Sequence, residues 1–411
     1  MKKQLSKRIR AHHIFFVYAA ILLAVSCASN ASDDVTYTKP DNLQECVDYI
    51  NTHYMTPEDY VIEKFKTHDV VILGECHRVK HDVMLVQNLI PLLYANGIYT
   101  VAIEFASYED QALIDRLITA ADYDEQLART ISLHRLGSLG LGGYQEYCDI
   151  FKAAWKLNKT LTADARKMRV LGVNDTLDWS PVKKEADRDN PEIRRKVFKN
   201  WSEQHWAERV KTEVLDKNEK VLCYCGMHHA FSKYRQPVAD KGKFIRFGDV
   251  RFGNYLYEIA KGTVFTISLH HPWVSIKGYE AAGVLPVDGA IDVMLAALPP
   301  DKQRFGFDTV GSPMGSLKAE TSLYSCGYDG FTLSTFCDGY ICQGAFTDYE
   351  GVTPIANFIH EGNIGYVREQ GGYPFNTLSA AEINEENAAV ALYLKDTLLK
   401  SCIRAVKKIR K

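Results

Sequence analysis

The sequence predicts an α/β protein with a mainly parallel central sheet flanked by helices. Short, almost continuous runs of Val, Ile and Leu recur along the chain, and longer amphipathic segments of helical periodicity separate them. Parallel strands are covered by helices on both faces, so they form continuous apolar runs instead of alternating ones. An apolar content of 46% with 24% charged residues is typical of a globular protein and excludes a mainly disordered or fibrous chain.

The predicted elements follow one another in a regular order. Strands are predicted at VVILGE (70–75), TVAIEFA (100–106), MRVLGVND (168–175), KVLCYCG (220–226) and TVFTISL (263–269), with a helical pattern from His81 to Asn96. Helical patterning also fills about 107–167, so we expect a helical insertion that forms a lid beside the carboxyl ends of the strands. Together these segments form a single α/β domain over 41–378. The Ala-, Leu-, Glu- and Lys-rich segment 379–411 predicts a C-terminal helix packed on it.

The amino terminus resembles a bacterial lipoprotein signal. Five cations (Lys2, Lys3, Lys7, Arg8 and Arg10) precede the apolar run IFFVYAAILLAV at 14–25. A run of about a dozen residues is short for a membrane span, which needs roughly 20. The sequence AVSC at 24–27 is similar to a lipobox, which implies a signal peptide at 1–26, acylation of Cys27 and a small, polar tether at 27–40. We therefore expect an exported protein, anchored by lipid to the periplasmic or outer-membrane face of a bacterial envelope. The alternative is ordinary cleavage, which leaves a soluble periplasmic protein.

The charge balance changes when this leader is set aside. The whole chain has 49 Lys and Arg against 51 Asp and Glu, a formal charge of −2. Without the five leader cations the tally is 44 against 51, which gives −7. Proteins that bind nucleic acid usually show a basic excess, so no nucleic-acid partner is expected.

The cysteines fit an oxidising compartment only in part. The chain has ten, and nine remain if Cys27 is acylated. An odd number means that at least one thiol is free or paired between chains. Cys326, Cys337 and Cys342 lie close in sequence and could supply one disulfide.

Polar side chains gather where the predicted strands end. Because the carboxyl ends of parallel strands meet at one edge of a sheet, we expect these groups to share a crevice. They are Glu75 and His77, Glu104, Asp175, and His228 with His229. His81 stands four residues after His77 and joins the site if the helix begins by residue 77; otherwise it is a solvated helix residue.

These residue types suit two kinds of chemistry. Histidine titrates near neutrality and can take a proton from water, while a carboxylate fixes its tautomer and stabilises its charged form. Alternatively, two carboxylates and two imidazoles can hold a divalent metal that activates water. The metal ligands would then be Glu75, His77, Glu104 and His229.

The motifs LGECH, VAIEF and GMHHAF resemble the superfamily of erythromycin-esterase-like hydrolases, ChaN-like haem-binding lipoproteins and Tiki-type metalloproteases. Glu75 and His77 match its GExH motif, Glu104 its second motif and His229 its late histidine. The GExH spacing is that of the ChaN-like branch. The resemblance implies a hydrolytic or haem-binding α/β domain, with Tyr or His contacting iron in the second case.

The sequence therefore supports three hypotheses. The first is an exported hydrolase that cleaves an ester or amide bond in a small molecule or peptide. Its catalytic residues would be Glu75, His77, Glu104 and His229, supported by His81, Asp175 and His228. The second is a haem-uptake lipoprotein without catalysis, and the third is a Tiki-like metal-dependent protease.

Overall fold

The computed structural model describes residues 36–136, 142–240, 242–278, 281–393 and 399–411. The predicted signal peptide, the lipidation site at Cys27 and most of the tether lie outside the described residues. None of the described helices is both long enough and apolar enough to cross a membrane.

The predicted fold class is confirmed, because a seven-stranded, mostly parallel sheet forms the centre of the molecule. The described strands are β1 (Val70–Glu75), β2 (Thr100–Ser107), β3 (Arg169–Asn174), β4 (Val221–Gly226), β5 (Pro237–Asp240), β6 (Lys243–Phe247), β7 (Val264–Leu269), β8 (Phe305–Asp308) and β9 (Gly339–Cys342). The strand order of the sheet is β3-β2-β4-β1-β7-β9-β8, and within this sheet β8 runs antiparallel to its neighbour β9 while the other described pairs are parallel. A separate antiparallel hairpin consists of β5 and β6.

Helices cover both faces of this sheet. Those before β4 are α1 (Leu43–Thr52), α2 (Pro57–Lys64), α3 (Lys80–Ala95), α4 (Gln111–Thr119), α5 (Glu125–Leu133), α6 (Gln145–Thr160), α7 (Pro191–Val197) and α8 (Glu203–Glu213). Those after β4 are α9 (Met227–Ala230), α10 (Phe252–Ile259), α11 (Ala290–Ala297), α12 (Leu333–Phe336), α13 (Ile364–Gln370), α14 (Ala380–Tyr393) and α15 (Lys400–Ile409).

The sheet separates two apolar cores, as strands buried on both faces require. One core packs α2 to α6 against one face of the sheet, and the other packs α1, α8, α10 and α11 against the opposite face. Alternate residues of β4 divide between them, since Leu222 and Tyr224 belong to the first core while Cys223 and Cys225 belong to the second. Because β2, β4 and β1 are parallel neighbours in the sheet, their carboxyl ends lie side by side at one edge.

The expected helical insertion consists of α4, α5 and α6, between β2 and β3. It is fixed to the sheet at its far end, where the buried amide of Asn158 donates to the carbonyls of Ile118 and Met168 at 3.1 and 2.8 Å. The C-terminal segment contains two helices, α14 and α15, and the residues between them lie outside the described ranges. Cys402 and Val406 of α15 pack on the domain, beside Val79 at the end of the β1–α3 connection.

The nine described cysteines are all free thiols. The expectation of a disulfide among Cys326, Cys337 and Cys342 is therefore not met. Cys326 instead directs its sulfur at the carbonyl of Gly242, 3.7 Å away, beside the β5–β6 hairpin. Cys342 ends β9 inside the central sheet, so these two residues belong to different parts of the fold.

Candidate functional site

The connection from β1 to α3 carries a carboxylate–imidazole pair. Glu75 is the last residue of β1 and is buried, and its Oε1 lies 2.6 Å from Nδ1 of His77. The chain turns sharply after His77 because Arg78 takes a positive φ of 73°. Helix α3 then begins only at Lys80, so His77 and His81 do not share a helical face as the sequence hypothesis required.

Two tyrosine hydroxyls hold the Glu75 carboxylate in place. The hydroxyl of Tyr224, from β4, lies 2.6 Å from Oε2, and that of Tyr147, from α6, lies 3.3 Å from both oxygens. A carboxylate accepts hydrogen bonds, so it selects the tautomer of His77 in which Nδ1 carries the proton. Nε2 of His77 is then the basic nitrogen.

Glu104, buried in β2, meets both histidines of the proposed site. Its Oε1 lies 3.5 Å from Nε2 of His229 and 4.0 Å from Nε2 of His77, while Oε2 accepts the backbone N–H of Gly226 at 2.8 Å. Burial acts to raise the pKa of Glu104, but the two histidines and the Gly226 N–H outweigh it and hold the pKa below its ordinary value. Glu104 is therefore a carboxylate at neutral pH.

The other nitrogen of His229 contacts Glu203, the first residue of α8. Nδ1 lies 2.9 Å from Oε2 of Glu203, and Glu203 also accepts from Arg251 and from the N–H of Phe252, both at 2.8 Å. Burial acts to raise the pKa of Glu203, but His229 and Arg251 outweigh it and lower the pKa to about 2. Burial lowers the pKa of His229, yet Glu203 and Glu104 outweigh it, so this pKa lies above its ordinary value.

Gly226, at the end of β4, occupies a position that leaves no room for a side chain. A Cβ added there would lie 2.6 Å from Cε1 and 3.0 Å from Nε2 of His77, closer than real side chains approach. The missing side chain lets the imidazole lie directly over the strand end, next to Glu104. Its φ of −57° is open to any residue, so this close approach alone explains the glycine.

The insertion also contributes a buried cation. Arg135, which follows α5, is completely buried and donates to the carbonyl of Asp175 at 3.2 Å and to Oγ of Ser107 at 3.4 Å. Burial lowers its pKa, and the charge of Glu104 is the strongest influence in the opposite direction. The buried carboxylates of the site are thus balanced by Arg135, Arg251 and the charged His229.

The three residues expected to support the site direct their side chains to other partners. Asp175 accepts from Arg209 at 2.5 Å and from the N–H of Ser202 at 3.0 Å, so it fastens α8 to β3. His228 turns away to the hydroxyl of Tyr324, 2.8 Å from its Nε2, and burial lowers its pKa well below the ordinary value.

His81 packs edge-on against Tyr349, with Nε2 3.5 Å from Oδ1 of Asp82. Burial lowers its pKa to about 3, so it is a neutral imidazole at physiological pH. Like Asp175 and His228, it shows no contact with Glu75 or Glu104 in the hydrogen bonds and ion pairs of the described residues.

Five residues that contact the candidate site were not predicted from the sequence: Tyr147, Tyr224, Arg135, Glu203 and Arg251. Tyr147 and Arg135 come from the insertion. The length of this segment predicts a lid, but it does not indicate which of its residues reach the site. Glu203 follows Ser202, which caps α8 by accepting the N–H of Gln204, and such a position normally signals only a helix start. Nothing in the local sequence of Glu203 indicates that its carboxylate reaches His229.

The residues expected to bind metal or haem are engaged in other contacts. Among the described residues, no three His, Cys, Asp or Glu side chains are arranged to hold a metal ion. His229 contacts a carboxylate through each ring nitrogen, and His228 contacts Tyr324. Iron coordination by either imidazole would require those contacts to break.

Neither a protein-family model nor a curated protein matches the sequence. Among solved structures, a Bacillus cereus protein is 10% identical with a TM-score of 0.43, over 74% of this chain and 97% of that one. A succinoglycan biosynthesis protein is 11% identical with a TM-score of 0.43 over the same shares, 74% and 97%. ChaN of Campylobacter jejuni, which binds haem cofacially, is 15% identical with a TM-score of 0.32, over 56% of this chain and 92% of its own.

Proposed function

We propose that this protein is a hydrolase in which His77 is the general base. The observation that carries the proposal is the asymmetry of the His77 imidazole. Nδ1 lies 2.6 Å from Oε1 of the buried Glu75 carboxylate, while Nε2 lies 4.0 Å from Oε1 of Glu104. The His77 side chain keeps 15% of its surface exposed, against 3% or less for Glu75, Glu104 and His229, so water and substrate can reach it.

The chemistry follows from this geometry. Nε2 of His77 takes a proton from a water molecule as the water oxygen forms a bond to the carbonyl carbon of an ester or amide. The imidazolium that results lies between the carboxylates of Glu75 and Glu104, which stabilise its charge. When the tetrahedral intermediate collapses, Nε2 returns the proton to the departing alcohol or amine, so His77 ends the cycle neutral.

The direct test is His77→Ala, assayed on p-nitrophenyl acetate and butyrate and on any substrate found in an ester and amide screen. General base catalysis contributes typically about 10²–10⁴-fold, so kcat should fall by at least the lower value. The thermal midpoint should stay nearly unchanged. His53→Ala is the matched control, because the exposed His53 directly follows α1 and contacts only Tyr49 among the described residues. Unimpaired turnover by His77→Ala would exclude this mechanism.

A metal-assisted reaction, as in a Tiki-like protease, is the first alternative. Glu75, His77, Glu104 and His229 would hold the ion, which would supply an activated water. Metal analysis of protein purified without chelator separates the two mechanisms. The acid–base mechanism expects substoichiometric metal and full activity in EDTA, whereas loss of activity in EDTA with recovery on adding Zn²⁺ would establish the metal.

Haem binding without catalysis is the second alternative. Addition of micromolar hemin should produce no Soret shift if His228 and His229 keep the contacts described above. A Soret band that disappears in His228→Ala or His229→Ala would instead favour a haem-uptake protein.

We also propose that the protein is exported and acylated at Cys27. Metabolic labelling with an alkyne fatty acid should mark the full chain and should fail with Cys27→Ala. Labelling of that variant would exclude Cys27 as the lipid attachment site.

A further inference from the structure

The β5–β6 hairpin exposes apolar side chains to an unusual degree. Eight large hydrophobic residues are exposed in the described part of the chain, and three of them, Val238, Phe244 and Ile245, lie on this one hairpin. Ile245 is 60% exposed and Phe244 41%. Phe244 and Ile245 are adjacent in β6, and a register shift interrupts the pairing between Val238 and Ala239 opposite them. The hairpin therefore presents a partly exposed apolar patch.

The hairpin is firmly attached at its base. The hydroxyl of Tyr328 accepts the N–H of Arg235 at 2.8 Å and donates to its carbonyl at 2.7 Å. The ring of Phe247 contacts Tyr328, with centroids 5.0 Å apart, and one edge of the Phe244 ring lies on Gly327. Isolated two-stranded hairpins are only marginally stable, so these contacts hold the apolar patch in position.

Cations accompany the apolar patch. The segment 237–247 contains three basic residues, Lys241, Lys243 and Arg246, and one acid, Asp240. Lys243 and Arg246 are exposed, and Arg246 lies 3.5 Å from the exposed carboxylate of Asp249. Exposed Phe and Ile flanked by Lys and Arg suit the interface of an anionic bilayer, where apolar groups enter the headgroup region and cations meet lipid phosphates.

The amino-terminal end of the described chain is linked to the hairpin through consecutive contacts. Thr38 donates its N–H to the carbonyl of Asp288 at 2.8 Å. The carboxylate of Asp288 accepts from Thr321, whose carbonyl accepts the N–H of Ile276 at 2.7 Å. Ile276 in turn borders Gly242 in the turn of the hairpin. A short chain of direct contacts thus connects the first described residues to the hairpin turn.

We propose that the β5–β6 hairpin is a membrane-contact surface that binds anionic phospholipid. With Cys27 acylated, as proposed above, the nine Cα–Cα steps from Cys27 to residue 36 reach at most about 32 Å at 3.3–3.6 Å each. The domain then lies close to the bilayer with the side that carries residue 36 towards it. The hairpin supplies the second attachment that a single lipid chain requires for stable binding.

The test uses the chain from residue 28, which has no lipid and retains every described helix and strand. Flotation with vesicles of 30% phosphatidylglycerol in phosphatidylethanolamine should show binding that weakens in 0.5 M NaCl and is absent on phosphatidylcholine vesicles. Phe244→Ser with Ile245→Ser should reduce the partition coefficient about tenfold or more. Met84→Ser with Leu92→Ser, which changes two residues of α3 exposed at 42% and 38%, should leave it unchanged.

Three outcomes would overturn the proposal: no binding to anionic vesicles, equal loss in both double variants, or a dimer in light scattering that Phe244→Ser with Ile245→Ser converts to monomer. The last would show that the hairpin binds a second copy of the chain. Because the protein used carries no lipid, the result is independent of acylation at Cys27. Esterase activity in solution should be the same in both double variants, which separates this proposal from the hydrolase.

Discussion

Nε2 of His77 lies 4.0 Å from Oε1 of Glu104, and the same oxygen is 3.5 Å from Nε2 of His229. The Glu104 carboxylate therefore lies near two imidazoles, and these have different roles. His229 also contacts Glu203 and has a raised pKa, which favours its charged form, whereas His77 is the more exposed of the two. Glu104 joins the buried charge network to Nε2 of His77, the nitrogen proposed to react.

Replacing this carboxylate should therefore impair turnover without preventing folding. Glu104→Gln keeps the size of the side chain and an oxygen to accept the N–H of Gly226, but it removes the charge that stabilises the His77 imidazolium. A loss of one stabilising group in an active site costs about 10²–10³ in kcat. Steady-state kinetics should show this loss in kcat with little change in KM. Activity within about threefold of the wild type would place Glu104 outside the reaction, since that is far below the loss expected of a stabilising group.

Gly226→Ala is expected to displace His77. The added Cβ would lie 2.6 Å from the imidazole, which must rotate away from Glu75 or Glu104. A displacement of about 1 Å at a reacting group can lower the reaction rate about 10²-fold, so kcat/KM should fall by about that factor. Gly365→Ala is the control, because a Cβ added there would meet no atom within 4 Å and the helical position tolerates alanine. Equal activities in the two variants would contradict the packing argument.

Glu203→Gln should destabilise the fold. The substitution leaves the buried cations His229 and Arg251 with a neutral partner, and breaking a buried ion pair typically costs about 3–5 kcal/mol. Urea unfolding at pH 6 should show a loss near the lower end, since glutamine still accepts one hydrogen bond. Glu208→Gln, an exposed residue of the same helix that accepts only from Gln204 among its described contacts, should change the free energy of unfolding by less than about 0.5 kcal/mol.

The difference in unfolding free energy between wild type and Glu203→Gln should depend on pH in a defined way. The pKa of Glu203 falls from 4.5 to about 2 on folding, so its contribution is present above pH 4.5 and is lost as the pH falls towards 2. The pKa of His229 rises from 6.5 on folding, so its contribution is full below pH 6.5 and is lost as the pH rises through the raised value. The difference should thus be largest between about pH 4.5 and 6.5, and a difference that does not vary with pH would refute the ion pair.

The sequence was sufficient to predict the parallel sheet and to predict that four residues of the candidate site lie near one another. Continuous apolar runs predict strands buried on both faces, and in such a sheet Glu75, Glu104 and His229 come near one another because they stand at or near the carboxyl ends of β1, β2 and β4, which are neighbours. His77 comes with Glu75 through the short turn between β1 and α3. These inferences need only the topology of a parallel sheet and no knowledge of side-chain direction.

The residues that point to other partners, and those that were not predicted, depend on side-chain directions that periodicity does not encode. His228 and His229 are adjacent, yet one turns to Tyr324 and the other to Glu104 and Glu203. Glu203 reaches the site from a helix that precedes β4. Asp175 follows β3 at the expected edge, but Arg209 binds it and turns it towards α8.

The free thiols have a consequence for how the chain reaches its folded state. Eight of the nine described cysteines are buried and Cys76 is partly buried, so the folded domain shields their thiols from oxidants. On the proposed export route the chain crosses the inner membrane unfolded and meets disulfide-forming oxidants with every thiol exposed. Folding then competes with the formation of disulfides that the folded structure lacks. The yield of active protein depends on which of these two processes is faster.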